Sequence, residues 1–195
     1  MPAKDTGTEQ LIKATAKQIF FAEGKLHATT QDIANAAGVN RAALHYYFRT
    51  RDQLVAEVFN EAMRDLSVRL GAVMTAEKPF KTKVEELIEV FMNDMTAYPY
   101  QETFLITEIN TAGVNLIKTI DDVPIASFLT EVEKEMNGGV IEKMDPRQFL
   151  MNLFSLLSYP LIMAPLYRQF FNIKQEEFDK LIVQRKQLIY QMLLK

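Results

Sequence analysis

The segment from residue 29 to residue 54, TTQDIANAAGVNRAALHYYFRTRDQL, constrains the fold more than any other part of the chain. Thr29 suits the N-cap of a helix, and Asp32 three residues later completes a pair that resembles a capping box. Gly38 ends this helix, because glycine readily adopts the left-handed conformation of a C-cap. The segment therefore predicts a short helix followed by a tight turn.

A second short helix, residues 41–48, is predicted directly after the turn. Asn40 provides its cap, and Leu44 and Phe48 lie four residues apart on one face, which predicts that they point inward. A third helix begins near Arg51, so the layout is that of a helix-turn-helix DNA reader. The side chains of the second helix that are left to face outward are Arg41, His45, Tyr46 and Tyr47.

Helical periodicity continues through the rest of the chain, and no stretch alternates with period two for long enough to predict a strand. We therefore predict an all-α protein of about nine helices. Residues 1–50 form an N-terminal three-helix head that carries the helix-turn-helix. Residues 51–195 form a C-terminal helical body.

The composition of the 195-residue chain argues against several classes of site. The absence of cysteine excludes disulfides, cysteine-ligated zinc and thiol catalysis. The two histidines, His27 and His45, lie in or beside the helix-turn-helix, and no phosphate-binding or dinucleotide-binding glycine motif is present. We therefore expect no enzyme activity, no cofactor and no metal site. The polar N-terminus lacks the apolar region of a signal peptide, so we expect a cytoplasmic protein.

The net charge of −3 is unevenly distributed along the chain. Residues 1–51 contain seven Lys or Arg and four Asp or Glu, whereas residues 52–195 contain fifteen and twenty-one. A basic N-terminal part attached to an acidic remainder suits phosphate binding by one end of the molecule.

The twenty residues from Gln148 to Tyr167 carry no charge, and a helix of that length is long enough to span a bilayer. However, the run contains Pro160 and Pro165 as well as the polar residues Asn152, Ser155 and Ser158, and no cluster of Lys or Arg marks one flank. We therefore expect a helix buried at the centre of a bundle and no association with a membrane.

The N-terminal segment resembles the TetR family of transcriptional repressors. The combination of residues is more specific than the Ala-Gly-Val turn alone would be. His45 departs from the family pattern, because it stands where the family usually has its first tyrosine. The residues that carry the resemblance are Gly24, Thr29, Asp32-Ile33-Ala34, Ala37-Gly38-Val39, Asn40, Leu44, His45-Tyr46-Tyr47, Phe48, Arg51, Asp52 and Leu54.

The resemblance implies that the second motif helix reads double-stranded DNA. We expect Arg41, at the exposed start of this helix, to contact a base edge, most favourably guanine. Tyr46, Tyr47 and Arg51 are expected to contact phosphates, as the matching family positions do, helped by a threonine near the start of the first motif helix. The predicted DNA-binding set is Thr29, Thr30, Asn40, Arg41, Ala43, His45, Tyr46, Tyr47 and Arg51.

In the family, the body binds a small and often apolar effector between its helices. This body is rich in methionine and aromatic residues, which suit such a pocket, although core packing is the alternative explanation for each of them. The resemblance therefore implies a small apolar effector, with a candidate pocket formed by Phe91, Met95, Tyr98, Phe104, Phe128, Phe154 and Met163.

The last two predicted helices carry more apolar residues than one face can bury within a protomer, which favours contact with a second copy. The family builds its dimer from this helix pair, so the resemblance also implies a homodimer. The alternative is the ordinary core of a monomer. The candidate interface residues are Leu150, Leu153, Leu157, Leu181, Arg185 and Ile189.

Together these features predict a ligand-responsive, DNA-binding transcriptional regulator. We expect a repressor that binds a palindromic operator as a homodimer, with residues 51–195 as the effector-binding and dimerisation domain. The alternative is an all-α small-molecule or lipid-binding interaction protein whose helix-turn-helix is non-functional. An inverted repeat that the protein binds, in the DNA beside its coding region, would favour the regulator.

Overall fold

The computed structural model describes residues 6–112 and 123–194, and within these ranges it contains ten α-helices and no strand. The predicted all-α class is therefore confirmed. A π-helical turn, Gln18–Ala22, continues the first helix. The helices are α1 Thr6–Lys17, α2 Thr30–Ala36, α3 Arg41–Tyr47, α4 Arg51–Thr75, α5 Phe80–Ala97, α6 Gln101–Ala112, α7 Val123–Asn137, α8 Pro146–Ile162, α9 Ala164–Phe171 and α10 Gln175–Leu193.

The long uncharged helix of the sequence is divided into α8 and α9, which are bent by 67° relative to each other. Pro165 lies in the first turn of α9, where its missing N–H costs no helical hydrogen bond, and Met163 departs from helical geometry between the two helices. This break accounts for the tenth helix. Among the described residues no single helix is long and apolar enough to cross a membrane, whereas the bent pair taken together meets that criterion by length and composition.

The helices group into two compact units. The head unit comprises Met1–Asp65 and Ala97–Thr119, and the body unit comprises Leu66–Thr96 and Ile120–Lys195. The head unit differs from the predicted head of residues 1–50, because the first part of α4 and residues of α6 complete its core. Three short helices bury little apolar surface by themselves, so these additional side chains are needed to cover them. They include Leu54, Val55, Val58, Phe59, Ala62 and Phe104.

The core of the body unit contains a cluster of three aromatic rings. The ring centroid of Phe80 lies 5.6 Å from that of Phe128 and 5.8 Å from that of Phe149. The buried Lys83 lies on the same helix as Phe80. Its Nζ donates to Glu131 Oε2 at 2.6 Å and to the main-chain carbonyl of Met74 at 3.2 Å. Lys83 therefore caps the end of α4 as well as forming an ion pair with α7.

Candidate nucleic-acid interface

A capping box fixes the start of α2. The main-chain N–H of Asp32 donates to Thr29 Oγ1 at 3.2 Å, and the N–H of Thr29 donates to Asp32 Oδ2 at 2.8 Å. The Thr29 hydroxyl donates to the same carboxylate oxygen at 2.7 Å. The hydrogen bonds that the carboxylate accepts from the hydroxyl and the N–H of Thr29 hold the pKa of Asp32 below its ordinary value. The predicted capping box is confirmed. The hydroxyl hydrogen of Thr29 is used in the bond to Asp32, and Thr30 is the first residue of α2.

Gly38 and Asn40 shape the turn between α2 and α3. Gly38 adopts a φ of 67°, in the left-handed region predicted for it. The N–H of Val39 then donates to the carbonyl of Ala34 at 3.0 Å, which closes the turn. Asn40 Oδ1 accepts a hydrogen bond of 2.7 Å from the N–H of Ala43. Asn40 therefore caps α3 as predicted and fixes the direction in which that helix leaves the turn.

The inner face of α3 has the predicted orientation, and three of the four residues predicted to face outward are exposed. Leu44 and Phe48 are each 1% exposed and belong to the head core. Arg41 and His45 are exposed, as is Tyr46 at 58%. The outer face thus presents three side chains whose polar groups can hydrogen-bond to base edges and phosphates. Tyr47 is half-buried, and its ring meets the ring of Tyr46 edge-on with 5.1 Å between centroids.

Within residues 6–51, two arginines at the ends of α3 are the exposed cations to which no described side chain is paired. Arg41 begins the helix, and Arg49 follows its last residue by two positions. Arg49 was not among the predicted DNA-binding residues, although its place beside the motif helix was a usable signal. The described lysines of this segment have partners at 2.5 to 4.0 Å: Lys13 with Glu61, Lys17 with the ring of Tyr98, and Lys25 with Glu23.

The guanidinium of Arg51, a predicted phosphate contact, is directed into the head unit. Nε donates to the carbonyl of Ala28 at 2.9 Å, and Nη2 donates to the carbonyl of Leu26. The guanidinium carbon lies 5.4 Å from the ring centroid of Phe20, and 33% of the Arg51 side chain is exposed. Main-chain carbonyls leave no signature in a sequence, so these contacts were not foreseen when Arg51 was expected to contact a phosphate.

The structure does not bring the seven candidate effector residues into one cluster. Tyr98 and Phe104 pack against the core of the head unit. The other five belong to the body unit, where Phe91, Met95 and Phe128 are buried and Phe154 and Met163 are half-buried.

Four of the six candidate interface residues lie inside the protomer, which corrects their assignment to a dimer contact. The helix α8 carries apolar residues on more than one side, so the sequence did not reveal which side faces the core. Of the other two, Leu181 is 46% exposed, and Arg185 is half-buried with its Nε donating to the carbonyl of Leu156 at 2.9 Å. The four buried residues are Leu150, Leu153, Leu157 and Ile189, none more than 9% exposed.

A different set of apolar side chains is exposed on the same two helices. On α10, Leu181 and Leu188 are seven residues apart and therefore lie on one side of the helix. An open groove of about 550 Å³ runs beside them and is lined in part by Tyr159 and Arg185. We call this surface the α8–α10 face; its exposed apolar residues are Met151, Tyr159, Leu181, Leu188 and Met192, at 46% to 64% exposure.

A family model described as bacterial regulatory proteins of the tetR family matches residues 12–58, a range that contains α2, α3 and the start of α4. Over this range the chain is similar to the TetR family.

Curated transcriptional regulators match parts of the chain. The HTH-type transcriptional repressor KstR2 of Mycolicibacterium smegmatis is 29% identical over 65% of this chain and 58% of its own length. The HTH-type transcriptional regulator BetI of Agrobacterium fabrum is 33% identical over 43% of this chain and 41% of its own length. The chain thus spans less than two thirds of the length of either of these two relatives.

Solved structures of transcriptional regulators share the fold over nearly the whole chain. A TetR family transcription regulator from Marinobacter aquaeolei covers 100% of both chains with a TM-score of 0.64 and 14% identity. HlyIIR, a hemolysin II transcriptional regulator, covers 97% of this chain and 98% of its own, with a TM-score of 0.63 and 20% identity. These likenesses support an all-α TetR fold with an N-terminal helix-turn-helix and a helical C-terminal body.

Proposed function

We propose that this TetR-family protein represses transcription by binding a palindromic operator as a homodimer, and that a small molecule regulates the binding. The observation that carries the proposal is the outer face of α3, where exposed Arg41, His45 and Tyr46 project from a helix that is capped at its start and buried on its inner side. One relative, KstR2 of Mycolicibacterium smegmatis, is a transcriptional repressor, which supports repression over activation.

In the proposed complex α3 enters the major groove with its first turn nearest to the bases. Arg41 donates to the N7 and O6 acceptors of a guanine, and the small side chain of Ala43 allows close approach to the groove wall. Tyr46 and Tyr47 contact phosphates and set the register of the helix on the duplex. Asn40 acts through its cap, because its side-chain oxygen is bound to the N–H of Ala43.

Selection of bound sequences from a pool of random DNA duplexes tests this function directly. The wild-type protein should enrich an inverted repeat whose half-sites lie about one DNA turn, or a multiple of it, apart. Arg41→Ala should weaken binding to that sequence by about 1–3 kcal/mol and relax the preference at one position of each half-site. The matched control is Arg64→Ala, which removes an exposed arginine from α4 and should leave the preference unchanged.

Absence of any enriched sequence would contradict the proposal. It would favour the alternative, an interaction protein that binds a small molecule or lipid and whose helix-turn-helix is non-functional. Equal effects of the two arginine substitutions would instead contradict the assignment of Arg41 as the residue that reads a base.

The homodimer is proposed to form through the α8–α10 face. Contiguous exposed apolar residues of this kind mark contact sites, and a two-fold axis would place the same face of each copy together. Leu188→Glu should therefore convert the dimer to a monomer in sedimentation velocity at tens of micromolar protein. The control is Val183→Glu, because Val183 is 67% exposed on another side of α10 and should leave the dimer intact. A monomeric wild-type protein would contradict this part of the proposal.

The effector is proposed to be a small apolar molecule bound by the body unit. Two charged side chains in its interior, Lys83 and Asp94, are already paired with Glu131 and Arg69 respectively, so neither demands a charged ligand. A ligand regulates only if it binds the form that does not bind DNA more tightly. A coupling of about 1–3 kcal/mol would weaken DNA binding roughly 5- to 150-fold.

A thermal-shift screen of apolar compounds, followed by DNA titration of each hit, tests for this effector. Compounds that raise the melting temperature and weaken operator binding support the proposal. Compounds that stabilise the protein and leave its operator affinity unchanged contradict regulation by that ligand.

A further inference from the structure

The two arginines on either side of Thr50, between α3 and α4, have opposite surroundings. Arg49 is exposed, and no described side chain is paired with its guanidinium, whereas Arg51 is two-thirds buried and bound to main-chain carbonyls. We propose that Arg49 binds a DNA phosphate at this end of α3. Arg51 is instead a positioning residue, which holds the loop before α2 in place relative to α4. This inference rests on the proposed DNA binding.

The main chain from which Arg49 projects is held in place. Its N–H donates to Gln53 Oε1 at 3.2 Å, and the N–H of Gln53 donates to Thr50 Oγ1 at 3.1 Å. The preceding residue, Phe48, is 1% exposed in the head core. Arg49 therefore combines an anchored backbone with an exposed guanidinium, which is the arrangement that a charge-assisted hydrogen bond to a phosphate requires.

The contacts of Arg51 join the first residue of α4 to the loop before α2. Its guanidinium donates to the carbonyls of Leu26 and Ala28, which precede Thr29, the N-cap of α2, by three residues and one residue. The N–H of Ala28 in turn donates to the carbonyl of Lys25 at 2.9 Å, so the loop is held as a folded unit. Displacing this loop would displace the capping box and, through α2 and the turn, the reading helix α3.

The surroundings of Arg51 also disfavour a contact between its guanidinium and a DNA phosphate. Nε and Nη2 are used by the two carbonyls, and Nη1 lies 3.5 Å from Asp52 Oδ1. The Asp52 side chain is 92% exposed, so a phosphate approaching Nη1 would meet a like charge. A lysine cannot replace Arg51 in this position, because a single ammonium lacks the planar fork that spans two carbonyls over the ring of Phe20.

The experiment compares Arg49→Ala, Arg49→Lys, Arg51→Ala and Arg51→Lys in the full-length protein. The DNA probe is a fluorescein-labelled duplex of unrelated sequence, about 30 base pairs or three helical turns long. The dissociation constant is measured by anisotropy over a range of salt concentrations, and the melting temperature is measured without DNA. The slope of log Kd against log salt counts phosphate contacts, whereas a parallel shift of the line reports mispositioning.

Arg49→Ala should lower the slope by about 0.9 for each protomer bound, Arg49→Lys should restore it, and both should melt as wild type does. Arg51→Ala and Arg51→Lys should both melt about 2–4 °C lower or more. Both should raise Kd at every salt concentration without changing the slope of log Kd against log salt, so that Arg51→Lys does not restore wild-type affinity.

A lower slope for Arg51→Ala that Arg51→Lys restores, with unchanged melting, would overturn the proposal. An unchanged slope for Arg49→Ala would overturn the role of Arg49. If Arg51→Ala does not fold, the milder Arg51→Lys carries the same comparison. If the wild-type protein binds no duplex, the proposed function fails. The melting temperatures of the Arg51 variants still show whether the contacts of Arg51 with the two carbonyls stabilise the head unit.

Discussion

The contacts that shape the reading helix of the head unit are local, whereas those that assign the faces of the body helices are distant in sequence. The capping box joins Thr29 to Asp32, and the cap of α3 joins Asn40 to Ala43. In the body, Lys83 pairs with Glu131 48 residues away, and Lys186 pairs with a carboxylate 97 residues away. Short-range side-chain to main-chain chemistry can be predicted from a sequence, while the inward face of a body helix depends on partners that a sequence does not reveal.

The largest expected effect contrasts two leucines on the last helices of the body. Leu153 is 0% exposed and Leu188 is 48% exposed, although both are apolar residues of predicted interface helices. Leu153→Glu should prevent folding, or lower the free energy of unfolding by on the order of 5 kcal/mol, because it buries an unpaired charge. Leu188→Glu should lower the melting temperature much less than Leu153→Glu does, because it removes a contact between protomers and leaves the interior of each protomer packed.

Circular dichroism during thermal unfolding measures both effects. Similar melting temperatures for the two variants would show that the inner and outer faces of the body helices have been assigned incorrectly.

The next contrast is between two ion pairs of the body unit. The side chains of Lys83 and Glu131 are 8% and 26% exposed, whereas those of Lys186 and Glu89 are 30% and 57% exposed. Glu131→Ala should lower the free energy of unfolding by about 3 kcal/mol, because it leaves the Lys83 charge buried and unpaired. Glu89→Ala should cost about 0–1 kcal/mol. Urea unfolding of the two variants tests the ranking, and equal costs would refute it.

Two glycines of the head unit allow a smaller comparison between strain and packing. Gly24 and Gly38 have φ values of 70° and 67°. A Cβ at Gly24 would lie 2.7 to 2.8 Å from ring atoms of Tyr100, whereas a Cβ at Gly38 would meet no atom within 4 Å. Gly38→Ala should cost about 1–2 kcal/mol through backbone strain alone.

Gly24→Ala should cost the same strain and, in addition, on the order of 1 kcal/mol, because the ring of Tyr100 must give up several contacts as it moves. Urea denaturation gives both free energies. A smaller cost at Gly24 than at Gly38 would mean that Tyr100 does not pack against this glycine in solution.

The smallest expected effect concerns acid stability at a helix start in the body unit. Hydrogen bonds from the side chain and the main chain of Arg147 lower the pKa of Asp145 from 3.8 to about 2. Because the pKa is lower in the folded state, the stabilisation is fully present above pH 3.8 and is lost as the pH falls towards 2. Asp145→Asn retains an oxygen for the cap but cannot titrate, so its melting temperature should fall less between pH 4 and pH 2. Identical pH profiles for both proteins would contradict this assignment of the pKa.

The sequence predicted most of the head correctly because each of its signals is chemical and local. The capping box at Thr29, the left-handed Gly38 and the cap at Asn40 all appear where they were predicted. The inward orientation of Leu44 and Phe48 followed from their spacing. The contacts of Arg51 could not be predicted, because its partners are carbonyl groups that every residue possesses.

The faces of longer helices were predicted less well, because adjacent apolar residues leave the phase of a helix undecided. On α1, the neighbouring apolar residues Leu11 and Ile12 are 48% and 0% exposed. On α8, Leu153 was expected at a dimer contact and is buried, whereas Met151 is 62% exposed. In both cases the helix could be predicted from the sequence, but the packing of side chains distant in sequence determines which of the apolar residues is buried.

The central claim is that two copies of this chain, joined through their body units, read two half-sites with their α3 helices. It is tested most directly by anisotropy titration of the selected inverted repeat against the same duplex with one half-site scrambled. We predict that two protomers bind the intact repeat and that scrambling one half-site weakens binding at least about 100-fold, because the second contact becomes intramolecular once the first is made. Equal affinity for the two duplexes, with one protomer bound to each, would contradict the account.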